Sequence, residues 1–314
     1  MRVTVTGASG FLGAWVVRAL ADAGHTTTAV VRSADPWRLR GVDGVAVVAG
    51  PTEEWPQLAA TSRPEVLMLL DWAGVDAQSR QNDEVQRSNL DRWTAVTDAA
   101  VQTGASRIVG LGSQAEFGPR RDIILDDSPV APVSAYGRVK AEAAEWLASL
   151  SRRDGVSTVW ARVFSAYGPL DNEGVLLAQI ADASARGDAV ALSSARQAWS
   201  YLYASDAAAA LAVLAGHPDA PLSCNVAHPE SPVLRDIIDA FTNTLVNARP
   251  QYGAVPDAPS KVQLRASTAR LSSLGWSPAV SLHVGLAATS AWLRRQPVPD
   301  PLGTGTLPAR PLQS

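Results

Sequence analysis

The chain has 314 residues, 46% of them hydrophobic, and a formal net charge of −3 from 27 basic and 30 acidic side chains. That length builds one large domain or two joined ones, with enough apolar material to close a core. No stretch is apolar for long enough to span a bilayer, no basic run invites nucleic acid, and a single cysteine, Cys224, excludes an internal disulfide and most thiolate metal sites.

Taken in chain order, "RVTVTG" (2–7) reads as a strand and "GAWVVRALADAG" (13–24) as a helix. "MRVTV" runs straight into the first glycines with no signal peptide before it, so a cytoplasmic location is expected. Strands follow at "TTTAVVR" (26–32), "VAVVAG" (45–50) and "EVLMLL" (65–70). A helix is predicted over 84–104, with a glycine stop, then a strand "RIVGLGS" (107–113) and a helix "SAYGRVKAEAAEWLASL" (134–150). Strands apolar throughout and separated by helices predict an α/β fold, a Rossmann-type doubly wound parallel sheet covered on both faces. After residue 167 the alternation loosens. Segment 187–203 reads as strand and turn, while 231–246 and 281–296 read as helices of a smaller, mostly helical C-terminal domain. The division expected is residues 1–166 and 196–226 for the sheet domain, 167–195 and 227–296 for the smaller one. Residues 297–314, rich in Pro, Gly and Thr, are expected to form a flexible tail.

Gly7, Gly10 and Gly13 lie between the first strand and the first helix. Bare backbone at this spacing lets the chain turn tightly and brings a helix amino terminus against a pyrophosphate, where its N–H groups and dipole favour the anion. Alone the pattern is weak; after the first strand of an alternating β/α chain it is strong. Tyr136 and Lys140 are four apart, hence on one helix face, and an ammonium near a phenol favours the phenolate that exchanges protons with a carbonyl or alcohol. Ser113 ends a strand 23 residues earlier, where its hydroxyl can bond the same substrate oxygen. At the end of the second strand, Val31 offers ribose hydroxyls no acceptor, whereas Arg32 offers a 2′-phosphate a donor fork. Arg38 and Arg40 are weaker candidates for that phosphate, and an exposed loop arginine is the plain alternative for Arg32. Asp71, at the end of "EVLMLLD", is either a substrate-facing acid or a strand-end residue bonded to loop N–H groups, the second being favoured.

The glycine loop in the form T-G-x-x-G-x-x-G, followed by Ser113, Tyr136 and Lys140, resembles the short-chain dehydrogenase/reductase superfamily and its catalytic triad. "WARVFSAYGP", "WSYLYASDAAAAL" and "LGWSPAVSLHVGLAATSAWLR" resemble the extended branch, the NAD-dependent epimerase/dehydratase family, over residues 3 to about 296. "GSQAEFGP" and "RQAWSYLY" look closest to deoxysugar-pathway members such as CDP-abequose-synthase-like reductases. The resemblance implies that Gly7, Ser9, Gly10, Phe11, Leu12, Gly13, Arg32, Ser33, Leu70, Tyr136, Lys140 and Phe164 hold the cofactor. It places Gln114, Glu116, Ser165, Arg196, Trp199 and Tyr201 at the substrate, and makes Asp206 a helix cap. It implies no metal.

Departures from that family narrow the reaction. Gln114 and Ala115 stand where the dehydratases carry Asp-Glu, so loss of water has no obvious proton donor; decarboxylases, which keep a glutamate at Ala115, are disfavoured too. Glu116 lies one place further on and is not expected to take the place of that missing acid. Trp199 replaces the diphosphate-binding arginine, with Arg196 either a substitute or a solvated charge, and Ser165 replaces an asparagine. The expected activity is NADPH-dependent reduction of a keto group on a nucleotide-linked sugar, at C4 of a 4-keto-6-deoxyhexose, with NADP(H) favoured over NAD(H). The alternatives are a nucleotide-sugar epimerase with retained NAD, a ketoreductase on a non-sugar ketone and, least favoured, an NADP sensor without turnover. Expected partners are the small-molecule substrate and at most a second copy in a homodimer, with no nucleic acid and no membrane.

Overall fold

A computed structural model of the chain describes residues 1–257, 263–303 and 305–311. Seven strands form one all-parallel sheet in the order β10-β6-β5-β4-β1-β2-β3. They are β1 (Arg2–Thr6), β2 (Thr26–Val31), β3 (Val45–Ala49), β4 (Val66–Leu69), β5 (Arg107–Ser113), β6 (Ser157–Val163) and β10 (Ser223–Val226). The order reverses between β1 and β4, which are in register at Val3↔Val66 and Val5↔Met68. Ligands of such sheets sit at the carboxyl ends of the strands beside that reversal.

The central strands are apolar throughout because both faces are covered. In β4, Val66 and Met68 join a core with Val3, Val5 and helices α1 (Phe11–Asp22) and α6 (Ala204–Gly216). Leu67 and Leu69 face the other way, into a core with Ile108, Trp160 and helices α2 (Trp55–Thr61), α3 (Asp83–Gln102) and α4 (Ala135–Asp154). Capping residues set the starts of two of these helices: Asn82 accepts the Val85 N–H at 3.2 Å, and Ser134 accepts that of Gly137 at 3.1 Å.

The loosened part of the chain forms two small parallel sheets, β7 (Ser165–Tyr167) with β9 (Tyr201–Tyr203) and β8 (Ala189–Leu192) with β11 (Arg249–Tyr252). Around them lie α5 (Leu176–Arg186), α7 (Leu234–Thr242), α8 (Ala269–Ser273) and α9 (Leu282–Leu293). The α1 side of the main core continues into this region through Tyr167, Leu177, Ile237, Trp276 and Leu286.

Two expectations are corrected. Asp206 does not cap its helix, which begins one residue after Tyr203; it sits in the first turn, buried, and its carboxylate accepts the N–H groups of Ala279 and Val280 at 3.0 and 3.1 Å. The described part of the tail is packed rather than flexible. Val298 and Leu307 are buried, Leu307 N–H bonds Val298 C=O at 2.9 Å, and Asp300 forms a buried ion pair with Arg18 of α1 at 2.8 Å. Its few apolar residues and its acid reach a docking surface that composition does not reveal. Residues 304 and 312–314 of the predicted tail lie outside the described residues.

Candidate active site

The glycines let three pieces of backbone meet. Gly7 has φ +68°, and a Cβ there would lie 2.5 Å from the Asp71 nitrogen after β4; a Cβ on Gly13 would lie 2.1 Å from the Gly7 oxygen. Helix α1 therefore starts against the end of the sheet. Its N-cap, Gly10, makes no side-chain bond, so nothing from a capping side chain occupies the first-turn N–H groups of Phe11, Leu12 and Gly13. Gly10 is exposed and Phe11, Leu12 and Ser9 are half-buried. This bare positive end fits a pyrophosphate.

At the end of β2, Arg32 and Ser33 are exposed, and among the described residues Arg32 has no hydrogen-bond or ion-pair partner. The other two arginines considered for a 2′-phosphate are engaged. Arg38 bonds Leu170 C=O at 2.8 Å, Ser9 C=O at 3.3 Å and Asn172 Oδ1 at 3.0 Å, and Arg40 pairs with Asp35 at 2.6 Å. Leu70 is buried beside the loop, its N–H bonded to Thr6 C=O at 3.3 Å. Phe164 packs into a small cluster with Phe117, Ile124 and Leu264.

Ser113, Tyr136 and Lys140 converge where β5 ends and α4 begins. The Ser113 hydroxyl oxygen accepts the Ala115 N–H at 3.2 Å, starting the short 3-10 turn Gln114–Phe117, and lies close to the Tyr136 phenol. Burial holds the Tyr136 phenol above its ordinary pKa; the adjacent Ser113 hydroxyl and the nearby Arg80 charge oppose that. Lys140 is 1% exposed and donates to Leu111 C=O at 2.6 Å. Its Nζ lies 3.5 Å from the ring centre of Trp72, 4.6 Å from that of Trp93, and 5.9 Å from those of Trp160 and Tyr136. Burial lowers its pKa to about 7, against the opposing charges of Glu116 and Asp71.

Both carboxylates nearest the triad are already bound. Glu116, expected among the substrate ligands, is fully buried: it accepts the Ser113 N–H at 2.7 Å, Trp160 Nε1–H at 3.0 Å and Arg162 Nε–H at 2.7 Å. The expectation is corrected because those donors draw it beneath the serine turn, out of reach of a substrate. Asp71 accepts from Thr6 Oγ1, from Trp93 Nε1 at 3.0 Å and from Arg92 Nε at 2.8 Å. It is a strand-end anchor, held by side chains and not by the loop amides that the sequence suggested.

The remaining substrate candidates are spread along neighbouring segments. Gln114 follows Ser113 and is half-buried; Ser165 and Tyr201 pair across β7 and β9, with Tyr201 stacked on Tyr167 at 4.4 Å. Trp199 is half-buried against Phe164 and Leu264, and Arg196 is exposed. Sequence reasoning missed Trp72, Arg80, Trp93 and Trp160. The available signal was an unusual density of tryptophans, 10 in the chain, of which three meet at one lysine. Among the described residues no cluster of His, Cys, Asp or Glu could hold a metal ion, and no helix is long and apolar enough to cross a membrane.

The chain is similar to proteins of known activity. It is 31% identical over 224 residues to the 2'-dehydrokanamycin reductase of Streptomyces kanamyceticus, covering 68% of this chain and 58% of that protein. It is 40% identical over 153 residues to the vestitone reductase of Medicago sativa, covering 44% and 47%. The chain spans about half the length of the curated relatives it matches. Among solved structures, the UDP-glucose 4-epimerase of Stenotrophomonas maltophila with bound NAD and formylated UDP-arabinopyranose superposes with a TM-score of 0.84 at 20% identity, covering 94% of this chain and 98% of that one. The UDP-glucose 4-epimerase of Thermotoga maritima with UDP-glucose gives 0.81 at 19%, covering 94% and 99%. These two likenesses show the seven-stranded Rossmann-type fold. Residues 3–227 match the NAD dependent epimerase/dehydratase family, and the chain belongs to that family, an extended branch of the short-chain dehydrogenases/reductases.

Proposed function

We propose that the protein is a reductase that uses NADPH to reduce a keto group on a nucleotide-linked sugar, at C4 of a 4-keto-6-deoxyhexose, in a deoxysugar pathway. The observation that carries this reading is the convergence of Tyr136, Ser113 and Lys140 on one place while Asp71 and Glu116 are both tied down. Such a site moves one proton to or from one oxygen; among the described residues it has no second free acid to expel water from the sugar.

When bound, the nicotinamide cofactor supplies hydride to the carbonyl carbon. Tyr136 gives its phenolic proton to the carbonyl oxygen, and Ser113 hydrogen-bonds that oxygen as it gains charge. Lys140 favours the phenolate left behind and would hold the nicotinamide ribose, its Nζ lying 3.5 Å from the centre of the Trp72 ring. Gly7, Gly10 and Gly13 would admit the pyrophosphate, and Arg32, with no ion-pair partner among the described residues, would take the 2′-phosphate. The names of two reductases among the relatives support the reduction.

A second reading is an epimerase that retains NAD; the NAD in the solved relatives supports it. Reduction of a non-sugar ketone follows if Trp199 rules out a diphosphate. One experiment separates the three. The nucleotide released from purified protein is identified, and turnover is measured with NADPH and with NADH on a panel of nucleotide-linked 4-keto sugars and simple ketones. Exchangeable NADPH with turnover on the keto sugars is expected. Tightly retained NAD with sugar epimerisation, or turnover on simple ketones alone, overturns the proposal.

A further inference from the structure

Between β4 and α3 lies a cation that the proton transfer does not use. Arg80 sits in the single 3-10 turn Ser79–Gln81, and that turn is rigidly built. Asp76 accepts the N–H groups of Gln78 and Ser79 at 3.1 and 2.9 Å, and Gln86 Nε2 donates to Gly74 C=O and Ser79 C=O at 2.8 and 2.9 Å. The Arg80 guanidinium carbon lies 4.8 Å from the centre of the Tyr136 ring. Among the described residues its buried Nε has no hydrogen-bond partner, and no carboxylate pairs with the group.

Neighbouring arginines behave differently. Arg87 pairs with Glu142, Arg92 with Asp71 and Arg138 with Asp83, at 3.1, 2.8 and 3.1 Å. A buried N–H without an acceptor is costly, and such groups in folded proteins almost always have one. The tyrosine face satisfies the charge in part but offers no lone pair to Nε. An acceptor brought from outside completes the site.

We propose that Arg80 binds an oxyanion of the substrate, a phosphate or carboxylate oxygen carried about one sugar ring away from the reacting carbon. The inference rests on the keto-sugar reading and adds a requirement to it: the substrate is anionic close to its carbonyl. The planar fork suits either anion. Two sources share this chemistry, the diphosphate of the nucleotide and a carboxylate on the sugar itself.

The test uses the full chain with NADPH bound. UDP, dTDP, CDP, UDP-glucose and UDP-glucuronic acid are titrated calorimetrically into the unmodified protein, R80K and R80Q, and KM and kcat are measured for a substrate that turns over. R80Q is expected to weaken binding and raise KM roughly ten- to a hundredfold, the share of a charged hydrogen-bonded contact. R80K, which keeps the charge, recovers part of the loss. Weaker binding of every nucleotide, free diphosphates included, identifies the phosphate; weakening confined to UDP-glucuronic acid identifies a sugar carboxylate. Unchanged dissociation constants and KM in R80Q, with only kcat altered, overturn the inference and leave Arg80 as a group that acts on Tyr136 alone. If the unmodified protein binds none of these ligands, the keto-sugar reading fails and the inference with it. If it binds them and R80Q binds them equally, the inference alone fails.

Discussion

Among the described residues Tyr136 has no free acid beside it, because Glu116 and Asp71 are committed to buried partners. Tyr136→Phe should therefore lower kcat about 100- to 10,000-fold, the usual share of a general acid. Its dissociation constant for the cofactor should stay the same, and fluorescence titration beside a turnover assay checks both. Lys140 lends itself to a pH test. Its pKa falls from 10.5 to about 7 through burial, so between those values the unfolded chain binds a proton that the folded protein lacks. This residue's contribution to stability thus rises with pH across that window and is least below it. Lys140→Met should melt above the unmodified protein at pH 6, with an advantage that shrinks towards pH 10, and should lose turnover throughout. At the other end of the cofactor site, Arg32 is exposed and unpaired among the described residues. Arg32→Ala should cost about ten- to a hundredfold in NADPH affinity and leave NADH nearly unaffected. Equal loss for both nucleotides, or none, would remove Arg32 from cofactor choice.

At the level of elements, the site depends on how the serine turn is fastened to the sheet. Glu116 ties the Ser113 backbone at the end of β5 to Trp160 and Arg162 on β6. With the Arg162 side chain 10% exposed and the carboxylate 0%, Glu116→Ala leaves a buried guanidinium unpaired. A loss of about 3–5 kcal/mol is expected in urea unfolding. The strands and helices that carry this arrangement are legible in the sequence. The helix predicted over 84–104 runs Asp83–Gln102, and the strand over 107–113 coincides with β5. Their periodicity and flanking signals are local. Sequence reasoning misplaces Glu116 because its partners are 44 and 46 residues away, and the spacing that puts it next to the serine says nothing about which way a buried turn faces.

Over the whole molecule, the chain's last described segment closes back on its first helix. Arg18 in α1 and Asp300 form a pair with side chains 2% and 9% exposed, and Arg18 also donates to the carbonyls of Ala14, Arg38 and Arg40. Asp300→Ala should cost about 3 kcal/mol, the low end for breaking a buried pair, because those three carbonyls still solvate the cation. Trp292 Nε1–H to Pro308 C=O at 2.8 Å and Arg310 to Asp182 at 2.6 Å hold the same segment further along. Thermal unfolding of the full-length variant checks this, and an unchanged melting temperature would refute a role for the pair.

The sequence by itself determined the alternating β/α order, the glycine turn before α1 and the helical spacing of Tyr136 and Lys140. Each of these is a matter of neighbours along the chain: periodicity, turn chemistry and two residues one helical turn apart. Only the tertiary structure decided that three indoles surround Lys140, that Asp71 and Glu116 face inward, that Arg80 lies over Tyr136 with no acid among the described residues paired to it, and that the described part of the Pro- and Gly-rich tail is packed. Those outcomes depend on side chains separated by tens to hundreds of residues, and burial and pairing between such groups exist only once the sheet has brought them together.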